Sequence, residues 1–152
     1  MNEHFQAATA AIPELFARLV ASVPFTAKGI AAQKGRAGVY VFLEGGIPVH
    51  VGRTRNLGGR LRGHITKSHF SASFAFKRTR ILHNKTATYV TRGSRDDLLN
   101  DPLFKETFHG QVSLVKEMTV LFVEVTDPVK QYLLELYAHL EFGLPLDEFD
   151  TH

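Results

Sequence analysis

The chain has no cysteine. Disulfides, thiolate metal sites and cysteine nucleophiles are therefore excluded, and a reducing, cytoplasmic compartment is expected. No apolar run approaches the roughly 18 residues needed to span a bilayer, so no membrane association is expected. The N-terminus carries Glu3 and Glu14 and no basic stretch, which argues against a signal peptide. Repeats, low-complexity tracts and inter-domain linkers are also missing. A chain of 152 residues without them is expected to form one domain, 1–152, around one core.

The most telling absence is local. Between Gly45 and Arg95 there is no Asp or Glu. That segment holds 11 of the 18 Lys and Arg residues together with His50, His64, His69 and His83, and 12 of the 15 acids follow it. Clustered cations release counterions from phosphates, so this block is a candidate polyanion surface. The alternative is a solvated basic face without a ligand.

Periodicity organises the rest. Apolar positions from Phe5 to Val20 recur at helical spacing, which predicts one or two helices over residues 1–23, with Pro13 in a first turn. Residues 24–37 are expected to be irregular, completing an N-terminal helical extension over 1–35. Val39–Leu43 and Ile47–Val51 are β-prone runs joined by Glu44-Gly45-Gly46, which predicts a hairpin. Pro48 lacks an N–H and argues for an edge position. Asn56 is a candidate cap for a helix over 57–67, weakened by Gly58 and Gly59, which would allow a backbone or ligand to approach closely. A second helix is expected over 71–81. Residues 83–110 suggest loops and one or two short helices, with a start signal at Ser94-Arg95-Asp96-Asp97. Met118–Val125 is the clearest strand. Asp127-Pro128 then starts a helix that stops at Gly143, and residues 144–152 are expected to be extended.

Several side chains in this frame have useful chemistry. Arg60 and His64 are four apart and share a helix face. Tyr40 and His50 lie on neighbouring antiparallel strands, so their side chains can emerge on one side. The Gly-rich helix start after Asn56 can offer N–H groups to an anion. Tyrosine, histidine and arginine around a phosphate suit phosphoryl transfer, with one group deprotonating water and arginine balancing charge. Any metal would need a carboxylate from outside the basic segment. Glu135, mid-helix among Leu133, Leu134, Leu136, Tyr137 and Leu140, is the best candidate. One carboxylate plus waters and phosphate oxygens suits Mg²⁺. Its alternative is an exposed helix position paired with His139.

Gly38-Val39-Tyr40, nine residues, then His50-Val51-Gly52 resembles the paired motif of the GIY-YIG nuclease superfamily. The stretch Arg53 to His64 resembles that family's downstream helix, and His69-Phe70-Ser71-Ala72-Ser73 a helix start found in some members. Glu135 falls where the family places its metal-binding glutamate, and Pro145-Leu146-Asp147 resembles its closing segment. Two positions depart from the pattern: His50 replaces the second tyrosine, and Asp147 the terminal asparagine. Histidine can still move a proton near neutral pH.

The resemblance covers about residues 36–147, with an insertion at about 83–110. It implies an α+β (α/β) fold, a small three-stranded antiparallel sheet flanked by helices. It implies a hydrolase, a divalent-metal-dependent endonuclease cutting phosphodiesters in DNA, with one Mg²⁺ or Mn²⁺ ion on Glu135. Tyr40 and His50 would serve water activation or the proton relay. Arg60 would stabilise the pentavalent phosphate, and His64 would contact it or orient its neighbours. Arg53, Arg55, Asn56, Arg62, Lys67, His69, Lys77 and Arg78 are candidate nucleic-acid contacts. With no second recognition domain, recognition of DNA structure rather than sequence is expected. No feature identifies a protein partner, although an acidic partner for the basic stretch is a further possibility. The alternative to the enzyme is a nucleic-acid-binding domain that keeps the fold without cleavage.

Overall fold

The computed structural model describes residues 1–85 and 91–149. The fold is α+β, a three-stranded antiparallel sheet flanked by helices. The chain folds into two compact units, residues 1–59 with 118–152, and residues 60–117.

The first unit is built on the hairpin. Strand β1 spans Gly38–Glu44 and β2 spans Ile47–Thr54. Gly45 and Gly46 both take positive φ (58° and 81°), the mirror-image turn that matches strand twist and that only glycine adopts without strain. Strand β3, Thr119–Glu124, pairs with the other edge of β1, giving the order β2-β1-β3. Pro48 therefore lies on an edge strand, as its missing N–H requires. The ladder pairs Phe42 with His50 but Leu43 with Pro48, so Val49 is the extra residue of a bulge.

Alternation along the strands separates two faces. Val39, Val41, Val51, Leu121 and Val123 lie on one and join the main core. Helix α1, Glu3–Val20, and helix α6, Pro128–Phe142, close over that core with Ile12, Leu19, Leu134 and Ala138. Helix α6 begins at the cap Asp127, whose carboxylate accepts from the Val129 N–H at 3.1 Å, and ends at left-handed Gly143.

The second unit contains helix α3, Ser73–Leu82, α4, Arg95–Leu99, and α5, Pro102–Lys116. Phe76 meets Phe104 and Phe108 of α5 edge to face, at 5.5 and 5.9 Å between centroids. Helix α2, Leu57–His64, carries the boundary between the units.

Several expectations need correction. Residues 3–20 form one helix with Pro13 inside it rather than at a first turn. Pro13 and Thr9, whose carbonyl loses a partner, are both exposed, so water can take that hydrogen bond. Residues 24–37 are not irregular throughout: Ala27–Gln33 is a 3₁₀ helix, and Phe25 bridges to Val120 on the outer side of β3. Helix α2 stops at His64, three residues early, where the N–H groups of Ile65 and Thr66 turn to carbonyls three residues back. Residues 83–110 are not confined to loops and short helices: the 15-residue helix α5 starts there at Pro102 and runs on to Lys116. Leu146–Phe149 is a 3₁₀ turn rather than an extended tail. The parts of those expectations that fall on 86–90 and 150–152 lie outside the described residues. No helix among the described residues is long and apolar enough to cross a membrane.

Helix α1 is also tied down by charge. His4 Nε2 lies 2.8 Å from Asp127 Oδ2, and this hydrogen bond, helped by the Val129 N–H, holds the Asp127 carboxyl below the usual carboxylate range. A depressed carboxylate contributes stability above its unfolded value, and the contribution is lost as pH falls through the folded value. Thermal unfolding of Asp127→Asn, which keeps the cap but not the titration, should therefore fall less steeply than wild type between about pH 5 and about pH 3. Parallel curves would show that the His4 contact does not contribute.

Candidate functional site

In the first unit the sheet face opposite the aliphatic core is aromatic. Tyr40 is 1% exposed and pairs across the ladder with Gly52. His50, opposite Phe42, therefore emerges on the same face as Tyr40. The Tyr40 and His50 rings are 6.0 Å apart and those of Phe42 and His50 5.7 Å. The Tyr40 phenol lies across Gly52, where a Cβ would run into its ring and hydroxyl. The hydroxyl thus reaches the edge strand β2, and Gly52 is what lets it pass.

The next residue on β2 faces the other way. Arg53 Nε is 3.3 Å from Glu135 Oε2, with side-chain exposures of 37% and 14%. The Arg53 guanidinium also lies over the Tyr132 ring, 3.7 Å from its centroid. Residues 132 and 135 are one turn apart on α6, so Arg53 bridges one face of that helix. The carboxylate of Glu135 thus pairs with Arg53. His139 is buried, and its Nδ1 bonds the Glu135 backbone carbonyl at 2.8 Å.

Asn56 caps α2. Its Oδ1 accepts from the Gly59 N–H at 3.2 Å and from the Gly35 N–H at 2.8 Å. The Leu57 N–H donates to the Arg36 carbonyl at 2.8 Å. A Cβ at Gly58 would sit about 3.0 Å from the Lys34 backbone. The close approach foreseen at this glycine is therefore to the chain itself, and two of the first three N–H groups of α2 already have partners. Arg55, just before this helix start, is exposed.

In the second unit Arg60 is half-buried. Its Nη1 donates to the Ser71 carbonyl and its Nη2 to the Ser73 hydroxyl, each at 3.0 Å. Among the described residues no carboxylate pairs with it. Ser71 and Ser73, singled out in the sequence only as part of a helix start, are the residues that hold the Arg60 guanidinium. His64, one turn beyond Arg60, is fully buried beside Leu61 on the inner side of α2. Arg62 is exposed, two residues and roughly 200° around the helix from Arg60, so the two arginines face different directions.

The remaining candidate contacts divide. Lys67 is exposed. Lys77 is half-buried on α3, and Arg78 Nε bonds Gln111 Oε1 of α5 at 2.8 Å while its guanidinium lies 5.5 Å from the Phe74 centroid. His69 is 8% exposed, and its Nε2 is 2.7 Å from Asp96 Oδ1. His109 titrates below the usual histidine range, first through desolvation and then through the positive charges of Lys67 and Lys105.

The described residues contain no group of three or more His, Asp or Glu side chains able to cage a metal ion. The donor set at Glu135 is a single half-buried carboxylate already paired with Arg53, and a hydrated Mg²⁺ or Mn²⁺ ion, which needs few protein ligands, would share or displace that pair.

Two measurements check this geometry. A double-mutant cycle between Arg53→Gln and Glu135→Gln should give a coupling of about 1 kcal/mol, the range of a well-placed, partly exposed pair; a value near zero would show that the contact is incidental. Gly52→Ala should destabilise by about 1–3 kcal/mol in chemical denaturation, because Tyr40 must move. Unchanged stability would contradict the packing of the phenol on the strand.

No protein-family model, no curated protein and no solved structure matches this chain.

Proposed function

We propose that this protein is a metal-dependent endonuclease of the GIY-YIG type that hydrolyses phosphodiesters in DNA. The observation that carries the reading is Arg60. Among the described residues, this half-buried guanidinium is held by a carbonyl and a hydroxyl rather than by a carboxylate. Burial raises the value of an anionic partner. Arg36 and Arg53, by contrast, are paired with Glu124 and Glu135. Arg60 also lies in the acid-free segment, where a phosphate meets no competing carboxylate along the chain.

The chemistry follows from the side chains. Water oxygen adds to phosphorus and the ester oxygen–phosphorus bond breaks. One proton leaves the water, and one is taken up by the departing alkoxide. Tyr40 and His50 are the groups able to accept and return protons. Arg60 stabilises the extra negative charge on the phosphoryl oxygens. His64, enclosed on the same helix, orients its neighbours. Glu135 would hold one Mg²⁺ or Mn²⁺ ion, which when bound offsets charge on the phosphate oxygens.

A second reading is favoured by one contact. Glu135 already has a cationic partner in Arg53, as expected of a domain that binds nucleic acid without cutting it. Nicking of supercoiled plasmid with Mg²⁺ or Mn²⁺ decides between the two. Wild type should nick, and Glu135→Ala and Arg60→Lys should each lower the rate by about a hundredfold or more. Salt-sensitive binding without nicking by wild type would establish the second reading instead.

A further inference from the structure

The loop from Ile65 to Ala72 joins α2 to α3 and is braced along its length. The N–H groups of Ser71 and Ala72 return to the Ser68 carbonyl at 3.2 and 2.8 Å. Arg60 holds the Ser71 carbonyl at 3.0 Å, and Arg95 Nη1 the His69 carbonyl at 3.3 Å. The His69 ring is fixed by Asp96 at 2.7 Å and packs 5.8 Å from Phe76. Phe70 stands out from this support. It is 71% exposed, and its ring stacks on that of His69 with centroids 4.0 Å apart and planes tilted by 40°.

An exposed phenylalanine adds nothing to the core, and single exposed apolar residues are common. This one differs in its surroundings. Its backbone carbonyl neighbours are gripped by two guanidinium groups, Arg60 and Arg95. It lies in the acid-free segment with Lys67 exposed three residues before it. The carboxylate that touches the loop, Asp96, is engaged by His69. An exposed aromatic face on a braced loop of a basic segment suits single-stranded nucleic acid, whose bases stack on such a ring while cations track the phosphates.

We propose that Phe70 is a stacking platform for an unpaired nucleobase, so that the substrate class is single-stranded or locally unpaired nucleic acid. The proposal rests on the nucleic-acid reading above and adds what that reading lacks, a side chain that senses base exposure. Paired bases in a duplex present no free face to Phe70. Phosphate contacts would then be shared by both forms, and the aromatic contact would belong to the unpaired form alone.

The test uses the full chain without divalent metal, and a short oligonucleotide presented single-stranded or as its duplex. Phe70→Ala should bind the single strand about tenfold more weakly than wild type and the duplex with affinity within about twofold. The chain contains no tryptophan, so Phe70→Trp introduces a single indole whose emission can be excited selectively over that of the four tyrosines. That variant should keep single-strand affinity, and its emission should be quenched by the single strand and not by the duplex. Circular dichroism should show both variants folded, since the side chain is exposed. Equal binding by Phe70→Ala and wild type, or equal losses for both nucleic-acid forms, would overturn the stacking role while leaving nucleic-acid binding in place. Failure of wild type to bind either form would overturn the nucleic-acid reading itself, and the stacking platform with it.

Discussion

The central position of β1 is the constraint on which the first unit depends. Residues Gly38 to Leu43 pair on one side with β2 and on the other with β3. A strand held on both edges cannot slip by one residue without turning every side chain to the wrong face. Its odd positions, Val39 and Val41, are thereby committed to the aliphatic core under α1 and α6. Its even positions, Tyr40 and Phe42, are committed to the aromatic face with His50. The separation of the aliphatic face from the aromatic face is thus a consequence of register.

Charge is partitioned as firmly as the faces. The basic residues do not form an undifferentiated patch. Arg36 pairs with Glu124 and lies over Phe122, Arg53 pairs with Glu135 and lies over Tyr132, and Arg78 ties α3 to α5 through Gln111. Such cations contribute packing through their stems and planes as well as charge. Arg60 is the contrasting case, because its described partners are neutral oxygens. Exposed Arg55, Arg62 and Lys67 are left to supply a diffuse field.

Much of the fold was legible because local rules and tertiary packing agree. The Gly45-Gly46 turn, the Asp127-Pro128 start and the Gly143 stop each need only a few neighbouring residues to act. The same start signature stands at Asp101-Pro102, followed by Phe104, Phe108, Gln111, Val112 and Val115 at helical spacing. Helix α5 was therefore visible in principle, and was masked by a Gly- and Pro-bearing region that resembled an insertion. Pro13 misled for a different reason. The cost of proline within a helix depends on whether water can reach the carbonyl it abandons, and exposure is a tertiary property.

By itself, the sequence determined the hairpin, the third strand, the start and stop of α6 and the acid-free basic segment, because periodicity, turn chemistry and charge are properties of short stretches; Tyr40, His50, Arg60, His64 and Glu135 were candidates placed on those elements. Only the tertiary structure decided what each candidate touches. It paired Glu135 with Arg53 across about 80 residues, enclosed His64, and assigned the fork of Arg60 to Ser71 and Ser73. It filled the space at Gly58 with the protein's own backbone and left Phe70 exposed on a braced loop. The physical reason is that hydrogen bonds and ion pairs are set by distances of a few ångströms between residues far apart in the chain, and no local pattern encodes those distances.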